Sequence, residues 1–297
     1  MSKRFSRRGN PMTNPVLITT TSELEDWANE CHAAGETIGL VPTMGNLHAG
    51  HLSLVELANK ESTRVVVSVF VNPTQFSPGE DFERYPRSLE DDIELLSSTS
   101  ADVVFAPNVE EIYPPGSDEE LVDPGPIGDV LEGAVRPGHF EGVLRVCKRL
   151  FELSHADVAV FGEKDAQQLF LVSQMVDTLS LPIRIVSAPT IRAEDGLALS
   201  SRNSYLSIED RALAVALPQA LMGVARAIGA GEEPATAVSA AQLSLSREPE
   251  IECEYLEVVS AHSFQPLSEG DTAAVVVGAI TVGGTRLIDN VRVHLPG

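Results

Sequence analysis

The chain has 297 residues, with 21 Lys and Arg against 43 Asp and Glu, giving a formal net charge of −22. That length suits one large or two ordinary domains with a sizeable core, and a hydrophobic fraction of 43% excludes a disordered chain. The acidic balance disfavours a nucleic-acid partner, because affinity for a phosphate backbone depends on a basic surface. A small anionic substrate stays compatible with it if local cations and a metal outweigh the global field.

No apolar run nears the roughly 18 residues of a membrane span, so no membrane association is expected. The opening MSKRFSRRGNP is basic but lacks the apolar stretch of a secretory signal, and residues 1–14 are expected to form a flexible tail. Cys31, Cys147 and Cys253 are odd in number and widely separated, which points to reduced thiols in a cytoplasmic protein.

Along the chain, short apolar runs alternate with helical patterns. TIGLV (37–41), RVVVSVFV (64–71), ADVVFA (101–106), DVAVF (157–161) and PIRIVSA (182–188) read as buried strands. SLVELANKE, with Leu54, Leu57 and Ala58 on one face, reads as a helix, as do SLEDDIELLSS (88–98) and the stretch after GEKD carrying Leu169, Val172 and Val176. Strands alternating with helices predict an α/β fold with a doubly wound, Rossmann-like parallel sheet over residues 1–190. Such sheets bind ligands beyond the carboxyl ends of their strands.

The pattern changes after residue 195. IEDRALAVALPQALMGVARAIG is helical but interrupted by Pro218, which should kink or split it. An Ala-rich helix (235–246) follows, then three strand-like runs, ECEYLEVVS, TAAVVVGAITV and TRLIDNVRV, with a Gly283-Gly284 turn between the last two. Residues 191–297 are therefore expected to form a smaller α+β domain.

The residues suited to chemistry fall just after strands. In PTMGNLHAGHLSLV (42–55), His48 and His51 stand three apart, with Gly45 upstream and Gly50 between them. Gly45 permits a turn and Gly50 a close backbone approach. A helix starting near His51 would offer free N–H groups and the positive end of its dipole, which suit a phosphate and disfavour imidazolium. FVNPTQF (70–76) places Asn72 and Gln75 at a strand end, where amides suit hydroxyls and carboxylates; an Asn-Pro turn is the alternative. GEKD (162–165) opens a helix, with Lys164 suited to phosphate charge and Asp165 to a ribose hydroxyl or to orienting the lysine. ALSSRN (198–203) offers hydroxyls and a guanidinium to a triphosphate, or else only a helix cap.

HxGH after a strand is the signature of the adenylyl-transferring folds that include class I aminoacyl-tRNA synthetases and nucleotidylyltransferases. The longer string resembles the pantothenate synthetase (pantoate–β-alanine ligase) family. FVNPTQF, DFERYPRSLEDD, RPGHFEGV, FGEKDAQQL, DGLALSSRNSYL and GGTRLIDN agree in order, from about residue 38 to residue 290. The resemblance implies ATP-dependent condensation of pantoate with β-alanine through a pantoyl adenylate, releasing AMP and pyrophosphate, with the second domain as a lid and the chain as a homodimer. It implies His48, His51, Lys164 and Arg202 as catalytic groups. It assigns ATP to Met44, Gly45, Asn46, Leu47, His48, Ala49, Gly50, His51, Gly162, Glu163, Lys164, Asp165, Ile191, Leu199, Ser200, Ser201 and Arg202. Pantoate and β-alanine fall to Gln75, Gln168 and Asn72, and Mg²⁺ to Asp91 and Asp92, which otherwise read as a solvated helix face. Arg136 and His139 are candidates for either the site or a structural loop.

The chain departs from the family pattern in places. Ala193 interrupts Arg192-Ala193-Glu194-Asp195 where an acidic residue is usual, Leu199 replaces Met, and Arg145 stands where Thr is usual. Leu for Met nearly conserves volume, whereas loss of the carboxylate at 193 predicts a looser loop. One rival is a nucleotidylyltransferase, which would yield a dinucleotide and would not need Gln75 and Gln168 as amide readers; the other is a non-enzymatic ATP-binding relative, which the intact HxGH, GEKD and SSRN oppose and only Ala193 supports.

Overall fold

The computed structural model describes residues 14–116 and 121–296, so nearly all of the basic opening segment lies outside it. The described residues form two compact units. The first runs up to Gly162 and includes Leu171–Ala188; the second comprises Glu163–Phe170 and the chain from Pro189 onward. Beside the change of unit at Pro189 there is a short excursion, since Glu163–Asp165 and the first turn of the following helix belong with the second unit.

In chain order the elements are β1 (Val16–Ile18), α1 (Thr21–Ala33), β2 (Ile38–Thr43), α2 (Ala49–Glu61), β3 (Arg64–Val69), α3 (Leu89–Leu96), β4 (Val103–Phe105), α4 (Val109–Ile112), α5 (Glu132–Val135), α6 (His139–Ser154), β5 (Val158–Gly162), α7 (Ala166–Thr178) and β6 (Arg184–Ala188). The six strands form one sheet in the order β1-β4-β3-β2-β5-β6, parallel throughout. Its strands are apolar on both faces, as parallel sheets require: Val65, Val66 and Val67 are all fully buried. Leu54, Val55 and Ala58 of α2 and Leu96 of α3 pack on the face carrying Val41, Val67 and Val160. Because β2 lies between β3 and β5, the strand order reverses there, and ligands bind at such a switch point beyond the carboxyl ends. The loop leaving β2 is the one that carries His48 and His51.

The second unit holds α8 (Ile208–Ala214), α9 (Ala216–Gly229), α10 (Pro234–Leu245) and an antiparallel meander of β7 (Ile251–Ser260), β8 (Ala273–Val282) and β9 (Thr285–His294). Gly283 and Gly284 both take positive φ, 56° and 73°, as a tight hairpin turn demands. The expected split at Pro218 occurs three residues earlier, at Val215. Pro218 then sits in the first turn of α9, where its missing N–H leaves no helical bond unmade. By length and composition the stretch Ile208–Gly229 would pass for a membrane span, contrary to the expectation that no run comes near one. It is a core element: Leu217, Leu221, Val224 and Ile228 pack with Leu256, Val276, Ile280 and Leu287.

Candidate active site

The loop from β2 to α2 is built around inward-facing amides. Gly45 takes φ +80° and Asn46 φ +50°, which turns the chain sharply at the sheet edge. A Cβ on Gly45 would lie 2.9 Å from Asp92 Oδ2, so glycine is required for space as well as for conformation. Asp92, buried on α3, accepts the Asn46 N–H at Oδ2 (3.0 Å) and the Leu47 N–H at Oδ1 (2.7 Å). The Gly45 N–H donates to Thr43 Oγ1 at 3.2 Å. Burial pushes the Asp92 carboxyl above its ordinary range, against the pull of the two N–H groups.

His48 is the N-cap of α2, so the helix starts at Ala49, earlier than expected. His48 Nδ1 accepts the Gly50 N–H (3.1 Å), and His51 Nδ1 accepts the His48 N–H (3.3 Å). A ring nitrogen that accepts carries no hydrogen, so both imidazoles are neutral with the hydrogen on Nε2. Their ring centroids are 4.1 Å apart. The His51 and Leu52 N–H groups bond to the His48 carbonyl. The expected row of bare N–H groups is therefore largely consumed within the protein, and the ring hydrogens of the loop sit on the imidazole Nε2 atoms.

Beyond β3, Asn72 caps the 3-10 turn Pro73–Gln75. Its Nδ2 donates to the Gly142 carbonyl (3.0 Å) and to Gln75 Oε1 (3.1 Å). Its Oδ1 accepts from the Thr74 N–H (3.2 Å), Thr74 Oγ1 (2.9 Å) and Tyr113 OH (2.9 Å). With 1% exposure and both amide hydrogens engaged within the protein, Asn72 is placed to hold Gln75. Gln75 Nε2 reaches Met44 Sδ at 3.0 Å, joining this turn to the β2 loop. α6 sits tightly against the turn: a Cβ on Gly142 would lie 2.2 Å from the Thr74 carbonyl oxygen.

Arg136 and His139 belong to the same support. Arg136 pairs with Glu80 at 2.8 Å and donates to His139 Nε2 at 3.0 Å, so His139 carries its hydrogen on Nδ1 and donates it to the Gln75 carbonyl at 2.8 Å. Burial, with Arg136 second, brings the His139 pKa down to about 4; the Gln75 carbonyl, Glu132 and Glu80 oppose the shift.

In the second unit, Asn290 Nδ2 donates to the Glu163 and Lys164 carbonyls, both at 2.8 Å, and so sets the GEKD turn. Lys164 Nζ lies 3.4 Å from Asp165 Oδ1. Arg192 grips the buried Asp289 through two bonds of 2.6 and 2.9 Å and donates to the Gly196 and Asn290 carbonyls. The Ala193–Gly196 turn closes by backbone bonds, and Asp195 accepts the Leu197 N–H and pairs with Arg211. The loop is thus anchored without a carboxylate at 193. Leu199 bonds through its N–H to the Ile191 carbonyl at 2.9 Å, and Ser200 caps the turn carrying Ser201 and Arg202. Gln168 lies in the first turn of α7. Asp289, Asn290 and Tyr113 escape a reading of the sequence because each acts on backbone or side chains far away along the chain.

A family model described as pantoate–β-alanine ligase matches residues 16–292. The chain belongs to the pantoate–β-alanine ligase family. A pantothenate synthetase of Nocardioides sp. is 48% identical over 289 residues, covering 95% of this chain and 86% of that protein. The crystal structure of a pantothenate synthetase from Thermus thermophilus superposes with a TM-score of 0.86 at 47% identity, covering 93% of this chain and 98% of that one. A pantoate–β-alanine ligase from Francisella tularensis, crystallised with β,γ-ATP and β-alanine, gives 0.76 at 33% identity over 93% and 97% of the two chains.

Within this ligase the carboxylates expected to hold magnesium do other work. Both oxygens of Asp92 take loop amides, and Asp91 hydrogen-bonds Ser88. Among the described residues no group of three or more His, Cys, Asp or Glu side chains is placed to hold a metal. Asp92 is thus committed to the loop amides, and Asp91 lies exposed beside Ser88.

Two outcomes follow for variants of this ligase. Asp92→Asn removes a costly buried charge but leaves one acceptor for two amides, an opposing loss of about 1–3 kcal/mol. Thermal unfolding should shift by only a few degrees, while the ATP-dependent rate falls about tenfold or more as the loop loosens; an unchanged rate would contradict the clamp. His139 has a folded pKa of about 4 against an ordinary 6.5, so as pH falls between those values the unfolded chain takes up a proton that the folded chain does not. Stability should drop across that window by at most about 3 kcal/mol, and the pH dependence of unfolding should flatten in His139→Gln.

Proposed function

We propose that this chain condenses pantoate with β-alanine to pantothenate in two steps. A carboxylate is unreactive toward an amine until it carries a leaving group. A pantoate carboxylate oxygen attacks the α-phosphorus of ATP, and pyrophosphate departs with the bridging oxygen's electron pair. The amine of β-alanine then attacks the acyl carbon, AMP leaves, and the amine gives up a proton. The observation that carries this reading is the reciprocal His48–His51 cap, which sets two neutral imidazoles with Nε2 hydrogens at the carboxyl end of the central strand.

In this reading His48 and His51 donate to phosphate oxygens as charge develops on them, a contribution typical of preorganised donors. Lys164 and Arg202 balance the triphosphate locally, against the chain's net charge of −22. ATP lies along Met44–His51, Gly162–Asp165, Ile191 and Leu199–Arg202, and Gln75 and Gln168 read the hydroxy acid. Magnesium would be held by the nucleotide's own phosphates. The ATP and β-alanine named for the Francisella ligase support the substrate assignment. A lid role for residues 191–297, a homodimer and a cytoplasmic setting complete the proposal; the three cysteines are unpaired, in keeping with a reducing compartment.

Incubation with ATP, magnesium, β-alanine and pantoate labelled with ¹⁸O in its carboxylate tests this directly. The expected products are pantothenate, pyrophosphate and AMP carrying one labelled oxygen, with a loss of ~10²–10³ in rate for His48→Ala or His51→Ala. ADP with label in inorganic phosphate would refute α-phosphorus attack, and a dinucleotide product would assign the chain to the nucleotidylyltransferases.

A further inference from the structure

The orientation of the Gln75 amide is dictated by a chain of unambiguous partners. The Thr74 backbone N–H can only donate and the Gly142 carbonyl can only accept, so Asn72 must place Oδ1 toward Thr74 and Nδ2 toward Gly142. The Tyr113 hydroxyl donates to the same Oδ1 at 2.9 Å. The second hydrogen on Asn72 Nδ2 then faces Gln75, and only the oxygen of that amide can receive it. Gln75 Oε1 is thereby engaged, and its NH₂ points toward Met44 Sδ. A thioether is a weak acceptor, which a substrate oxygen outcompetes.

We propose that Asn72 and Tyr113 are positioning residues that hold the Gln75 amide in this one orientation, so that Gln75 acts on the hydroxy-acid substrate as a donor only and recognises an acceptor oxygen, either carboxylate or hydroxyl. The inference rests on the functional reading above, in which Gln75 contacts pantoate. The support extends outward through Arg145: its guanidinium lies over the Tyr113 ring, 4.3 Å from the centroid, and the Tyr113 ring meets Phe70 edge-on at 6.2 Å. The Gln75 backbone is fixed separately, by His139 and Arg136 at its carbonyl. The Gln75 carbonyl and side chain are thus held by different groups; Asn72 also caps the turn, and exchanging Gln75 or Tyr113 perturbs side-chain orientation without removing that cap.

The test compares Gln75→Glu with Gln75→Ala, reading the KM for pantoate and for ATP in pantoate-dependent pyrophosphate release. A glutamate keeps the oxygen facing Asn72 but replaces the donor with a second acceptor. It should therefore raise the pantoate KM more than alanine does, by about tenfold to a hundredfold or beyond, with the ATP KM within threefold of wild type. Tyr113→Phe should raise the pantoate KM about threefold to tenfold, again with the ATP KM unchanged, a split that a general loss of folding would not produce. A Gln75→Glu enzyme that uses pantoate as well as wild type would show that the amide presents its oxygen, and would overturn the proposal. So would a Tyr113→Phe enzyme whose ATP and pantoate constants move together. A wild-type chain that releases no pyrophosphate with pantoate would overturn the functional reading and this inference with it; the results above overturn this inference alone.

Discussion

What the β2 loop offers to a ligand depends on one buried carboxylate. Asp92 takes the Asn46 and Leu47 amides on its two oxygens and occupies the space a side chain on Gly45 would need. This clamp turns the backbone of the β2 loop toward the protein. A phosphate-binding loop of the usual glycine-rich kind does the reverse, aiming its amides at the ligand. Here the amides are spent on fixing the loop, and the chemistry passes to two imidazoles whose Nδ1 atoms are also spent on it. The geometry costs a desolvated charge, visible in the upward shift of the Asp92 carboxyl. Such a cost is typical of a site in which positioning outranks stability.

The same device recurs at the other loops. Asn72 is used entirely within the protein and sets the Gln75 side chain, while Arg136 and His139 set its carbonyl. In the second unit, Asn290 sets the GEKD turn and Asp289 sets Arg192. In each case an amide, imidazole or ion pair engaged within the protein holds the backbone next to a residue suited to touching a ligand. Rigid support of this kind is what lets a loop hold a catalytic group within the small tolerance that chemistry requires.

The parallel sheet was legible because its strands are continuous apolar runs bounded by polar residues, and the antiparallel meander because its runs are long and separated by a glycine pair. β1, with three residues, is too short to show any period. α6 carries a strong apolar stripe, yet His139 and Gly142 drew its start into a functional motif. The candidate site was legible as strings of residue types at strand ends. Their division of labour was not. Asn72 and Gln75 are both amides, and Asp91 and Asp92 adjacent carboxylates; only burial and partners show that Asn72 and Asp92 are supports. Ala193 read as a loosened loop because its substitute anchor, Asp289, lies 97 residues away in the contact with Arg192.

The imidazole tautomers measure the central constraint most directly. In ¹⁵N NMR of histidine-labelled protein at neutral pH, assigned with single substitutions, His48 and His51 should both show an unprotonated Nδ1 and a protonated Nε2. In Asp92→Asn that pattern should give way to exchange between tautomers as the loop is released. A protonated Nδ1 on either ring in the wild-type chain, or rings indifferent to the loss of the Asp92 carboxylate, would contradict the clamp as the origin of the site.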